Sequence, residues 1–234
     1  MLTQLVLGDG DKIGQAFFPA AVGLRRSSSS ISVRRNLTKA QASAKERLLT
    51  AAYELFATRG INQVGIDTIL AKSGCAKASF YGNFKSKLDL AIAFLERREQ
   101  VWTRDWLEDE IERRATDPVD RLLAIFDVFD GWFHSEGFEG CSFINVLLEA
   151  NVGSPLHRAS AFHLAKIRTI ILGLAEAAGL VDPEVFAQAW HMLMKGSIVA
   201  AGEGNQSAAV QAKRAAQLII AGWPRTDRQA RSSS

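Results

Sequence analysis

From Ser43 onward the apolar residues of this chain recur at helical spacing. Leu48, Ala52, Leu55 and Phe56 follow at intervals of four, three and one, which predicts one apolar stripe on a helix. Ser43 has the chemistry of an N-cap, with Glu46 three residues on as its capping-box partner. Gly60 is placed to end that helix in a left-handed conformation. A short second helix is predicted from about Ile66 to Ser73, with Ile66, Ile69 and Leu70 inward and Gly74 as its stop. A third runs from about Lys77 to Phe84, where Phe80 and Phe84 form an i,i+4 pair facing the core with Ile69 and Phe56. Ser86 opens a long fourth helix that extends towards residue 108.

Five further helices are expected at about 118–135, 141–150, 155–178, 183–202 and 207–221. Pro118, Pro155 and Pro183 sit near helix starts, where proline is tolerated. No segment alternates at the strand period, so the fold class is all-α with about nine helices. The stretch VFAQAWHMLMKGSIVAAG is apolar nearly all round and should be buried on both sides. Its small residues Ala187, Gly196, Ala200 and Ala201 allow close helix approach. Residues 1–42 show no period, and RRSSSSISVRR is low-complexity, so they read as a disordered basic arm. On a second reading part of this arm is not native. The next methionine after Met1 is Met192, so a later start would need another codon, at Val33 or Leu37 for example. The organisation is then a head over residues 43–88, a body over 89–222 and a disordered tail over 223–234.

Charge changes this picture. The chain of 234 residues carries a net +3, but residues 25–87 hold 12 Lys and Arg against 3 Asp and Glu. Residues 88–234 hold 15 against 20. A basic segment on an acidic body predicts that one end meets a polyanion. No apolar run approaches a membrane span, and AFFPAAVGL is preceded by Asp9 and Asp11 with no cleavage site after it, so neither membrane nor secretory signal is expected. Cys75 and Cys141 form no CxxC pair, which fits a reducing cytoplasm.

The basic charge is densest in GCAKASFYGNFKSK, residues 74–87. Two short helices joined by a glycine turn, after a longer helix, make a helix-turn-helix. On a helical wheel the outer face of the third helix carries Ala78, Ser79, Tyr81, Gly82 and Lys85. Small residues let a helix approach base edges. A tyrosine hydroxyl and lysine ammonium groups reach the flanking phosphates. The run from Ser43 to about residue 97 resembles the DNA-binding domain of the TetR family of bacterial repressors, through AAxELFxxRG, IDTILAKSG and KASFYGNFKSKLDL. The resemblance implies that Thr68, Lys77, Ser79, Tyr81 and Lys87 contact DNA. Three positions depart from the family pattern. Ala76 and Gly65 stand where Ser or Thr caps are common, and Gly82 where a larger residue is common.

The resemblance further implies a two-part switch: a homodimer joined through residues 183–221, with a small-molecule inducer in the body and operator DNA at the heads. The candidate ligand-binding residues are Trp102, Trp106, Phe126, Phe129, Phe133, His134, Asn145, Glu149, Trp190 and His191: aromatics with a few polar groups among them. Glu149 and the acidic body favour a neutral or cationic ligand over a strongly anionic one. The four histidines, at 134, 157, 163 and 191, form no metal-ligand spacing, and no cofactor motif is present. Cys141 lacks an identifiable base, so it reads as a packed cysteine. The functional expectation is a repressor released from a palindromic operator by a small apolar or amphipathic ligand. The rival is a helical small-molecule-binding protein or enzyme with a vestigial head.

Overall fold

In the computed structural model, the described residues are 43–136 and 138–226. The expected basic arm, its alternative start and residues 227–234 of the tail lie outside them. The head comprises α1 (Ala44–Arg59), α2 (Ile66–Ser73) and α3 (Lys77–Asn83). Next, α4 (Lys87–Arg98), a π-helical stretch (Glu99–Glu108) and α5 (Asp109–Arg114) follow without a break. The body is completed by α6 (Pro118–Phe133), α7 (Ser142–Glu149), α8 (Pro155–Ala177), α9 (Pro183–Gly202) and α10 (Ala208–Gly222). With α4 through α5 taken as one rod, nine helices and no strand are found among the described residues.

The fourth helix is longer than its sequence pattern predicts, and its middle is not α-helical. The π stretch aligns residues five apart: Gln100 Nε2 donates to Asp105 Oδ1 at 2.7 Å, and Arg104 Nε donates to Glu99 Oε1 at 2.9 Å. In an α-helix such pairs do not face each other, so these polar pairs favour the wider winding. Ser43 does cap α1, accepting from the Glu46 N–H at 3.2 Å. Glu46 does not return the bond. Its two carboxylate oxygens take Arg97 of α4, at 2.7 and 2.6 Å. Gly60 has positive φ (75°) but extended ψ (156°), so α1 ends outside the left-handed helical region expected of it. Ser154 and Asp117 cap α8 and α6 in front of Pro155 and Pro118.

One buried apolar cluster runs from α1 to α10. Phe94 of α4 joins head and body within it. It is fully buried, with edge contacts to Tyr53 (5.5 Å) and Phe56 (5.6 Å) of α1. One turn on, Arg98 is also buried, and its Nη1 donates to the Tyr53 hydroxyl at 2.9 Å. The C-terminal segment is ordered further than its composition predicts. Trp223 packs edge-on against Phe186 at 5.1 Å and donates Nε1–H to Val181 O at 2.7 Å. Thr226 N–H donates to Gly179 O at 2.8 Å. Residues 223–226 thus clamp the turn between α8 and α9 instead of starting a tail.

Phe94→Ala should cost about 3–5 kcal/mol, because it deletes a ring that fills the head–body seam. Urea unfolding of the full chain measures this. A loss below about 1 kcal/mol would show that the seam is not a common core.

Candidate functional site

The turn between α2 and α3 is locked locally. Gly74 sits at φ 64°, ψ 26°, the left-handed region that glycine enters without strain, and its N–H returns to Leu70 O at 2.9 Å. Ser73 Oγ accepts from the Cys75 N–H at 3.3 Å. Beneath α3, Phe80 and Phe84 are buried as their spacing predicts, and Phe80 meets the Tyr81 ring edge-on at 5.2 Å. The opposite face is open. Thr68, Lys77, Ala78, Tyr81, Gly82 and Lys85 are exposed, while Ser79 and Lys87 are half-buried. Among the described residues Lys77, Lys85 and Lys87 have no ion-pair partner, whereas Lys72 behind them is held by Glu54 at 2.7 Å. The three lysines facing outward beside α3 therefore keep their full charge for an external anion.

Gly65 and Ala76 leave α2 and α3 without side-chain caps. A Cβ added at Gly82 would meet nothing within 4 Å, so the protomer's own packing does not require glycine there. Two supports were not evident from the sequence. Asn83 Nδ2 donates to Ser79 O at 2.7 Å and steadies the last turn of α3. Asp89 accepts from the Lys85 N–H at 3.0 Å while its own N–H donates to Ser86 Oγ at 3.1 Å. This reciprocal pair fixes the junction between α3 and α4. Its signal was the S-x-x-D spacing of Ser86 and Asp89.

The structure brings some of the ten candidate ligand residues together and disperses the others. Trp102, Trp106, Phe129 and Phe133 join one stack that also includes Trp132 and Phe138. Phe126, edge-on to Phe129 at 6.3 Å, continues it to Trp190 and Phe186, so the six aromatic candidates share one network and only the polar candidates are dispersed. His134 is exposed at the end of α6, its Nδ1 2.8 Å from Asp130 O. Asn145 and Glu149 are exposed on α7 and turn toward α1. His191 alone of the polar candidates is interior. It meets Trp102, Phe129, Cys141, Ile167 and Lys195 around a cavity of about 10 Å³, room for about one water.

That interior is rich in polar atoms without partners. Trp102 Nε1, Trp190 Nε1, Thr103 Oγ1 and His191 Nδ1 are buried with none among the described residues. Burial lowers the His191 pKa to about 4, with Lys195 and Arg168 acting in the same direction. Burial also raises the Cys141 thiol, which keeps it protonated and unreactive. No cluster of metal-ligating side chains is found among the described residues. No helix among them is long and apolar enough to cross a membrane.

Residues 48–94 match the profile of bacterial regulatory proteins of the tetR family. Over 86 residues the chain is 38% identical to the HTH-type transcriptional activator FasR of Mycolicibacterium smegmatis, covering 36% of this chain and 37% of that protein. Over 92 residues it is 32% identical to the uncharacterized HTH-type transcriptional regulator TtgW of Pseudomonas putida, covering 38% of this chain and 67% of that protein. The chain thus spans between about a third and two thirds of the length of these relatives. In fold it resembles a TetR-family transcriptional regulator from Streptomyces coelicolor, with TM-score 0.68, 23% identity, and coverage of 77% of this chain and 89% of that one.

The buried neutral His191 makes stability depend on pH. Its contribution is complete above 6.5, the ordinary histidine value, and is lost as pH falls toward about 4, because the unfolded chain takes up the proton first. His163, lowered by burial, acts with the same sign. The wild type should therefore lose stability between pH 7 and 5, and His191→Gln should lose less over that interval. Denaturant unfolding at each pH measures the difference. Identical pH slopes would mean that His191 is not held neutral.

Proposed function

The chain belongs to the tetR family of bacterial regulatory proteins, and from that premise we propose that it is a homodimeric repressor, released from a palindromic operator when a small apolar or amphipathic molecule enters its body. It is a transcriptional regulator with a DNA-binding helix-turn-helix. The observation that carries the finer reading is the open face of α3: Lys77, Tyr81 and Lys85 around Ala78 and Gly82, the two lysines in no ion pair among the described residues. Small residues at its centre admit a base edge, and the flanking lysines neutralise phosphates. Thr68 on α2, Ser79, and Lys87 at the start of α4 extend the contact around that centre.

Assembly follows from geometry. A palindrome is read by two recognition helices about 34 Å apart, or a multiple of that, so one protomer does not suffice. The surface that supports pairing is on α9 and α10. Val185, Met192 and Val199 lie exposed at seven-residue intervals on α9, beside exposed Val210 and Leu218 on α10. The three on α9 are the apolar positions that the all-round hydrophobicity of residues 183–202 left over once the protomer's own core was filled. Ile198, by contrast, faces that core.

The effector reading rests on the interior donors. Trp102 Nε1 and Trp190 Nε1 can only donate hydrogen bonds, and both are buried without an acceptor among the described residues. Leaving such a group unmet costs about 1–3 kcal/mol. A ligand with an apolar body and one acceptor relieves that cost at Trp102, which lines the small cavity beside His191, by opening that cavity. Glu149 lies elsewhere, so it imposes no charge preference on this ligand. The ligand acts only if it favours the released arrangement. A hundredfold loss of operator affinity corresponds to about 2.7 kcal/mol of that preference.

Anisotropy titrations with duplexes from the gene's own upstream region test the reading. Affinity should fall steeply with salt, and Lys77→Ala should weaken all sequences alike while reducing the salt slope by about 1. Gly82→Ala should stabilise α3 by up to about 1 kcal/mol yet change the preference among operator variants. Met192→Lys should yield monomers that no longer bind the palindrome. Tight, specific binding by a monomer, or binding with no preference for any duplex, would contradict the proposal.

A further inference from the structure

The interior cavity beside His191 has a charge bias of its own, the reverse of the one that the acidic composition of the body suggests. Its walls come from the π-helical stretch, α6, α7, α8 and α9. No Asp or Glu lines it, and its one charged side chain is Lys195. The Cys141 thiol, kept protonated by burial, adds no negative charge. Lys195 is half-buried and enters no ion pair among the described residues. The same is true of half-buried Arg168 on α8, whose charge also reaches His191.

An independent observation points to an occupant. Trp102 and His191 line the cavity and are only 9% and 3% exposed. Trp102 Nε1 and His191 Nδ1 have no hydrogen-bond partner among the described residues. The indole N–H can only donate, and a neutral imidazole donates from Nδ1 in one of its two tautomers. The field at the imidazole has one sign, since the charges that act on it beyond burial are the cations Lys195 and Arg168. Unmet donors beside unmatched positive charge suit an anion, whose hydrogen bonds are the stronger for its charge. The rest of the wall sets the shape. Leu164, Ile167, Met194 and Ile198 are buried and apolar. Room for about one water must widen for any larger guest. Met194, unbranched and flexible, can give way with the least strain.

We propose that this cavity takes a small aliphatic monocarboxylate. The carboxylate accepts from Trp102 Nε1 and from His191, and the Lys195 ammonium neutralises it. The short apolar tail lies against Leu164, Met194 and Ile198. This assignment rests on the effector reading of the same cavity and names the class of molecule that enters it. Trp102 stands on the π-helical stretch, whereas His191 and Lys195 stand on α9. The charged end of the ligand is therefore held between the long helix and a helix of the proposed dimer face.

Calorimetric titration of the full chain with straight-chain acids from acetate to hexanoate, and with alcohols and amines of matching length, separates charge from shape. At least one acid should bind, and its alcohol and amine should bind at least about tenfold more weakly. Lys195→Met keeps the stem and removes the charge. It should weaken that acid by about tenfold or more, with an unchanged thermal melt. Trp102→Phe keeps a ring, removes the donor and should weaken the acid by a similar factor, about tenfold. Glu149→Gln, outside the cavity, should leave binding intact. An alcohol or amine that binds as tightly as its acid, acid binding that survives Lys195→Met, or no binding by any of the acids would each overturn the proposal. Operator affinity measured in parallel keeps the two readings apart. Acid binding that leaves operator affinity unchanged would uphold the site and contradict only the effector reading. Operator release by an alcohol that binds as well as its acid would do the reverse.

Discussion

Everything in this molecule hangs on the continuity of the helix from Lys87 to Arg114. Its first residue lies four positions beyond the last residue of α3, across the junction held by Ser86 and Asp89. Its first turns are fixed to α1 by Phe94, Arg97 and Arg98. Its middle carries Trp102 and Trp106 into the body's aromatic stack. No loop intervenes to absorb a displacement. Under the proposed function, a shift at Trp102 would be carried to α3 as a tilt of the rod, which would join a ligand event to a DNA event. The π-helical stretch lies at the tryptophans, where an altered winding would change the rod's direction at least cost.

The recognition element itself is weakly built. The third helix has seven residues, no side-chain cap and an interior glycine that nothing in the protomer requires. Its order comes from below, through Phe80, Phe84 and the Asn83 bond to Ser79. Such a helix has its position set by the core and its outer face left free to adapt. The unpaired charges of Lys77, Lys85 and Lys87 suit that role, because charge held for a partner is charge not spent on internal ion pairs.

Much of the fold was legible in the residues because helical periodicity and caps are local signals. The stripe from Leu48 to Phe56, the stops at Gly60 and Gly74, and prolines at the first turns of three helices each needed only a few neighbouring positions. The head's helices were legible for the same reason, and most of its outward candidates lie on or beside one short helix, with Thr68 on α2 and Lys87 on α4. The body was not. Asn145, Glu149, His134 and His191 all sit on apolar helices, and composition alone cannot say which way each turns. Long-range packing decides it: α7 turns Asn145 and Glu149 to α1, while α9 turns His191 inward. The π-helical stretch also escaped, because its i,i+5 pairing is not a period that apolar residues reveal. Glu46 had a competing partner, Arg97, 51 positions away.

The central claim, that the rod moves the heads as rigid units, is tested most directly by the distance between them. Spin labels at Gln63→Cys, an exposed position in the head, report it by pulsed dipolar spectroscopy. With operator bound, the account predicts one narrow inter-protomer distance. A compound that quenches the buried tryptophans and releases the operator should move that distance by several ångströms to a second narrow distribution. Release of DNA with an unchanged distance, or with a distribution broadened into disorder, would contradict it.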